Sequence, residues 1–155
     1  MSVRSAARKS KPGLEDARSI SLPVHDHDGK SWLAVIEGAE VPMRIRRVFT
    51  VFARRATVRG RHAHRRCNQF LVCLAGRIAV GLDDGRRKKR FVLASPGRGL
   101  FVPAGIWATQ TYHPRSSLLV LCDRAYEAGD YIRDYRAFRR FRGFAARREK
   151  TKSAP

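Results

Sequence analysis

Six short apolar runs, separated by Gly, Pro and Asp, dominate the middle of this chain: Val48–Phe52, Phe70–Leu74, Ile78–Leu82, Phe91–Leu93, Gly99–Pro103 and Leu118–Leu121. They are rich in β-branched and aromatic residues and shorter than an ordinary helix. Runs of this kind at about ten-residue intervals predict an all-β sandwich or jelly roll. Asp83-Asp84-Gly85 supplies tight-turn chemistry, so the third and fourth runs predict a hairpin. The pattern changes near the C-terminus. Tyr131, Tyr135 and Phe138 recur at spacings of four and three, which predicts a helix over Asp130–Phe141 packed outside the barrel.

The chain has 155 residues and is 43% hydrophobic, enough for one domain with a substantial core. Residues 1–17 are polar, basic and unpatterned and predict a disordered extension. The folded domain is expected over 18–141, followed by a basic tail over 142–155. No apolar stretch approaches the roughly 20 residues of a membrane span, and the first residues lack a secretory apolar segment. A cytoplasmic protein is expected. Cys67, Cys73 and Cys122 show no CxxC spacing and read as reduced packing thiols. The formal net charge is +20, with a basic run at Arg86-Arg87-Lys88-Lys89-Arg90 and a tail from Arg136 in which Glu149 is the only acid. Such a surface attracts polyanions in a salt-sensitive way. It carries no stacking platform, helix-turn-helix or zinc-finger spacing, so specific nucleic-acid recognition is not expected.

His62-Ala63-His64 is the pattern that carries chemistry. On a strand, residues two apart share a face, so both imidazoles project together at about 6–7 Å. The pair fits a metal half-site, an acid–base pair, or two hydrogen-bonded polar residues lining an inert barrel. Arg59, Arg61, Arg65 and Arg66 flank it and repel a cation. The same arginines, together with burial, disfavour a protonated imidazole, and a neutral imidazole can act as a base.

Gly60, the His62/His64 pair, Gln69 and Gly76 resemble the first cupin motif, and Gly97, Pro103 and Gly105 resemble the second. That resemblance implies a double-stranded β-helix, or jelly-roll barrel. Metal-binding cupins place an acid where Gln69 stands and a histidine where Ala108 stands, so no metal is expected. Four segments narrow the likeness. They are Arg47-Val48-Phe49; Arg59 to His64 with Gln69; Gly99 to Pro103 with Trp107; and Tyr126, then Asp130-Tyr131-Ile132-Arg133-Asp134-Tyr135 with Phe138. Together they resemble the nucleotide-sugar 3,4-ketoisomerases, cupins acting on dTDP-4-keto-6-deoxyglucose.

The resemblance implies that a keto group moves from C4 to C3 through an enediol, in deoxysugar biosynthesis and without a cofactor. It gives His62 and His64 the acid–base roles, with His62 the stronger candidate base. It places Arg47, Arg59, Gln69 and Trp107 against a dTDP-linked keto sugar, and implies a homodimer. Several positions depart from the family, among them Asp28-Gly29, where an Arg or Tyr often precedes the glycine, and Thr50, where a second tyrosine is frequent. Phe49 stands where a tyrosine is common, and Ala108-Thr109 replaces the pair that usually follows Trp107. These departures leave a second reading, a catalytically impaired cupin that binds a nucleotide sugar without turnover. A metal-dependent cupin enzyme and a nucleic-acid-associated basic protein are further alternatives.

Overall fold

The computed structural model describes residues 11–144. Its strands are β1 (Arg18–Ser21), β2 (Val24–His27), β3 (Ser31–Ala34), β4 (Arg47–Ala53), β5 (Thr57–His64), β6 (Gln69–Ala75), β7 (Ile78–Asp83), β8 (Lys88–Leu93), β9 (Arg98–Val102), β10 (Trp107–Tyr112), β11 (Ser116–Cys122) and β12 (Tyr131–Ile132). A 3₁₀ turn at Ala128–Asp130 precedes β12, and one helix, α1 (Tyr135–Phe141), follows it. All six apolar runs form strands, and the architecture is the expected cupin-type β fold.

Two five-stranded antiparallel sheets face each other without closing into a continuous barrel. The first has the order β1-β9-β6-β11-β4 and the second β12-β5-β10-β7-β8; β2 and β3 form a separate hairpin. Asp83-Asp84-Gly85 turns β7 into β8 as predicted, with Ile78 opposite Leu93 and Asp83 opposite Lys88. Gly85 adopts φ 91°, which suits a residue without Cβ.

Strand β6 shows why one run is apolar throughout. Leu71 and Cys73 point between the sheets, where they meet Val80, Leu100, Leu118 and Val120. Phe70 and Val72 point the other way and are covered by Leu22 and Val41, from the segment flanking the β2–β3 hairpin. Both faces are buried, so alternation disappears from the sequence. Edge strand β4 is the opposite case. Its outward residues Val48 and Phe52 are 55% and 61% exposed, although the run reads as core. The three cysteines are free and buried, matching the packing role expected of them.

Two expectations change. The helix starts at Tyr135 rather than Asp130, because the Asp134 carboxylate accepts from the Ala137 amide at 2.7 Å and caps a helix beginning there. Upstream, Tyr131 and Ile132 pair with His64 and Ala63 of β5 instead of continuing a helical stripe. The packed unit also reaches beyond 18–141. Leu14 and Ala17 are buried in the main core, and Arg142 Nη1 donates to the carbonyls of Pro12 and Gly105. The remaining expected extensions, residues 1–10 and 145–155, lie outside the described residues.

The Phe70 ring lies across Gly99 of β9, where a Cβ would overlap it. Gly99→Ala is expected to destabilise the fold by about 1–3 kcal/mol through overpacking, measured as a lower urea midpoint at unchanged slope.

Candidate active site

The site begins with an irregularity in β5. Opposite β10, Ala108 pairs with His62 but Thr109 pairs with Gly60, so Arg61 is an extra residue, a β-bulge. Gly60 (φ 80°) and Arg61 (φ 55°) both adopt left-handed backbone. Glycine is required at the first position, since a Cβ there would lie 2.8 Å from the Ala108 carbonyl oxygen. In a regular strand Arg59 and His62, three apart, would point to opposite faces. The bulge brings them to one cleft and turns Arg61 to the outside of the sheet.

His62 and His64 do share a face, and their ring centroids are 5.0 Å apart. His62 Nδ1 lies 3.0 Å from the Gly60 carbonyl oxygen. A carbonyl only accepts, so Nδ1 carries the proton and Nε2 keeps its lone pair. His64 Nδ1 donates in the same way to Asp130 Oδ2 at 2.9 Å, and its Nε2 is buried without a partner. Both rings are therefore poised as bases.

Burial pushes the His62 imidazole down to about 4, and the neighbouring His64 and Arg133 add to this against the Gly60 carbonyl. Burial also lowers His64, although Asp130 opposes the shift. Asp130 is held below the usual carboxylate range; burial acts against this, and the bonds from His64 and from the Arg66 amide outweigh it. The pair is thus a neutral imidazole on an ionised carboxylate.

A cleft of about 410 Å³ opens over His62. Phe49 and Arg59 line its rim, Gln69 and Gln110 supply amides, and Tyr131 and Arg133 come from the far side. The Tyr131 ring packs 5.0 Å from His62 and 4.4 Å from His64. Arg133 sits over that ring at 4.5 Å. Behind the histidines lies a pocket of about 10 Å³, room for one water, lined in part by Cys67, Gln69 and Ala108. The small alanine side chain faces the two rings.

Arg47 lies beside this cleft and packs on the Phe49 and Tyr126 rings at 5.5 and 5.7 Å. Its Nη2 donates to Cys122 Sγ at 3.4 Å, and Gln69 Nε2 approaches the same sulfur at 3.7 Å. The bond from Cys67 pushes the Cys122 thiol down against burial, helped by Arg47 and Gln69. The Cys67 thiol moves up correspondingly. Arg47 is therefore engaged with the Cys122 sulfur, whereas Arg59 and Arg133 have no carboxylate within ion-pair distance among the described residues.

The fold thus gathers His62, His64, Arg47, Arg59, Gln69, Phe49 and Ala108. Trp107 is the exception and corrects the expectation. On β10 it is Ala108, Gln110 and Tyr112 that point between the sheets. Trp107 points outward, onto Ala63, Ile132 and Phe138. Tyr131, Arg133 and Gln110 line the cleft and Asp130 anchors His64; the sequence marks Asp130, Tyr131 and Arg133 as family-like without giving them a place in the site, and does not mark Gln110 at all. Asp130, Tyr131 and Arg133 lie in the segment whose pattern predicts a helix.

One further grouping bears on metals. His64, Cys67 and Asp130 bring ligand atoms within 4.8 Å of one another. The Asp130 carboxylate already takes the His64 Nδ1 proton and the Arg66 amide, and an ion there would have to displace those bonds. This is not the two-histidine set of metal cupins, since His62 is outside it.

Comparison with known proteins places this geometry. Residues 15–143 match the family described as FdtA: WxcM-like, C-terminal. The chain is 37% identical over 115 residues to a TDP-4-oxo-6-deoxy-alpha-D-glucose-3,4-oxoisomerase of Aneurinibacillus thermoaerophilus, covering 72% of this chain and 81% of that protein. Among solved structures, a 3,4-ketoisomerase from Helicobacter canadensis superimposes with a TM-score of 0.78 at 29% identity, covering 83% of this chain and 98% of that one. A mutant of the 3,4-ketoisomerase QdtA from Thermoanaerobacterium thermosaccharolyticum, in complex with TDP-4-keto-6-deoxyglucose, gives 0.75 at 27% identity, covering 80% and 91%. The fold is the cupin-type β fold of these ketoisomerases. The chain belongs to the FdtA, WxcM-like family, as its motifs indicated.

The depressed histidines couple stability to pH. The folded value of His62, about 4, lies below its ordinary 6.5, so the unfolded chain binds more protons between these limits. Its contribution is fully present above about pH 6.5 and is lost as pH falls toward 4. Urea unfolding at pH 5 is expected to show about 1–2 kcal/mol less stability than at pH 7 on this account, and His62→Gln to shrink the difference.

Proposed function

We propose that this protein is a 3,4-ketoisomerase of a TDP-linked 4-keto-6-deoxyhexose, working in deoxysugar biosynthesis. The observation that carries the reading is the His62 ring at the floor of an arginine-lined cleft, with Nε2 unprotonated and a second imidazole behind it anchored on Asp130. The sugar ring occupies the cleft over His62. Arg59 and Arg133 supply positive charge for the diphosphate and for the enediolate as it forms. Gln69 and Gln110 offer amides to the sugar oxygens, which a carboxylate would repel.

His62 Nε2 removes the proton from C3. The released electron pair forms the C3=C4 double bond, and the C4 carbonyl oxygen takes up a proton, giving an enediol. Loss of the C3 hydroxyl proton then forms the C3 carbonyl, while C4 accepts a proton from an imidazolium. Oxidation at C3 balances reduction at C4 within one sugar, so the reaction needs no external redox partner. Tyr131 is the hydroxyl-bearing ring beside both histidines and is placed to take part in the transfer that Phe49 cannot support. Val48 and Phe52, exposed at 55% and 61% on the outward row of edge strand β4, favour a homodimer that covers them.

The test is isotopic. With dTDP-4-keto-6-deoxyglucose in D₂O, deuterium is expected at the sugar C3 or C4 positions by NMR. His62→Asn should slow this by about 10²–10⁴-fold. Intact substrate with measurable binding would support the silent binder instead. Phe49→Tyr is expected to raise the isomerase rate by restoring the family hydroxyl, and Tyr131→Phe to lower it; both are read in the same exchange assay.

A further inference from the structure

The second sheet carries a larger cavity on its other side. It encloses about 710 Å³ and lies outside β5, β10 and β7, so those strands separate it from the histidines. Side-chain size creates its depth. On the outward rows of β10 and β7, Thr109 lies opposite Gly81 and Thr111 opposite Ala79, four small residues where a sheet face usually carries larger ones. Trp107 and Tyr135 form one wall, in edge-to-face contact at 5.2 Å.

The opposite rim is cationic. Lys88 and Arg90 project from β8, and Arg61 reaches in from the bulge of β5. The one acid, Asp83, is already engaged: Oδ2 accepts from Tyr135 Oη at 2.7 Å and Oδ1 from the Gly85 amide at 2.6 Å, and of the cations only Lys88 comes within ion-pair distance of it, at 3.9 Å. Among the described residues, neither Arg61 nor Arg90 has a carboxylate within 4.0 Å. Arg61 also adopts a left-handed backbone that costs a non-glycine residue energy, a feature that clusters at ligand sites. The chain's own ends are unsuited as occupants. Residues 1–10 and 145–155 carry Arg4, Arg8, Lys9, Arg147, Arg148, Lys150 and Lys152 against the single acid Glu149, a charge of the same sign as the cleft's.

An aromatic wall facing cations, two of them without a carboxylate partner, across a hollow of small-molecule size matches one ligand chemistry, a planar base joined to phosphates. We propose that this outer cleft is a second ligand site, distinct from the histidine cleft, which binds a nucleoside diphosphate. The base lies against Trp107 and Tyr135, and the diphosphate is held by Arg61, Lys88 and Arg90. The proposal does not depend on the isomerase reading.

The chain has two tryptophans, so Trp32→Phe in the full-length protein leaves Trp107 as the only strong emitter. Titration with adenosine diphosphate is expected to change its fluorescence saturably, at one equivalent per chain. Lys88→Glu combined with Arg90→Glu should weaken that binding by about tenfold or more, since it reverses two charges at the phosphates. Both side chains are exposed, and near-UV circular dichroism checks that the double variant is folded. Arg59→Glu, at the histidine cleft, should leave the Trp107 signal unchanged, and inorganic pyrophosphate should compete. Three outcomes would overturn the site: no saturable change, equal loss in Arg59→Glu, or binding indifferent to Lys88→Glu with Arg90→Glu.

Discussion

One extra residue in one strand governs the functional half of this molecule. The bulge at Gly60–Arg61 breaks the two-residue alternation of β5 within a single step. Before it, Arg59 reaches the inner cleft; after it, His62 and His64 do, and Arg61 is turned to the outer face. The bulge depends in turn on the backbone of β10, which passes so close that position 60 has no room for a side chain. The histidine face and a cationic outer face are therefore built from six consecutive residues, Arg59 to His64, by local backbone geometry.

The second joint is Asp130. Its carboxylate accepts from His64 Nδ1 and from the Arg66 amide, while its carbonyl accepts from the Arg65 amide at 2.8 Å. One residue thus fixes the tautomer of His64 and ties the C-terminal segment to the end of β5. Tyr131 then packs on both imidazoles, and Ile132 joins the small core beneath α1. Helix α1 contributes to the site only indirectly, by holding this segment in place.

Much of this was legible in the residues, for reasons that can be stated. The six runs form strands because burial on one or two faces selects β-branched and aromatic side chains, and that selection survives in a single sequence. The histidine pair was readable because alternation holds between positions 62 and 64. Arg59 was placed by resemblance; parity alone would have sent it to the wrong face, since a bulge leaves little mark beyond one glycine. Trp107 was misplaced because motif spacing fixes an order along the chain without fixing which face of β10 a residue occupies. The sequence pattern starts the helix five residues too early because Tyr131 falls in register with Tyr135 and Phe138 by coincidence. Its own contacts lie across a strand pair with His64.

The arm that leads from β1 through the β2–β3 hairpin has a consequence of its own. Leu22, Ile36, Val41 and Met43 seal the outer row of the first sheet, where Phe70, Val72 and Leu121 would otherwise meet water. The arm is held mostly by that greasy contact, since its hairpin joins neither large sheet. Fragments that begin after it would keep the histidines and every strand of the second sheet, yet present an adhesive surface to one another. The cover over this face is thus supplied by a stretch of chain remote from the histidines.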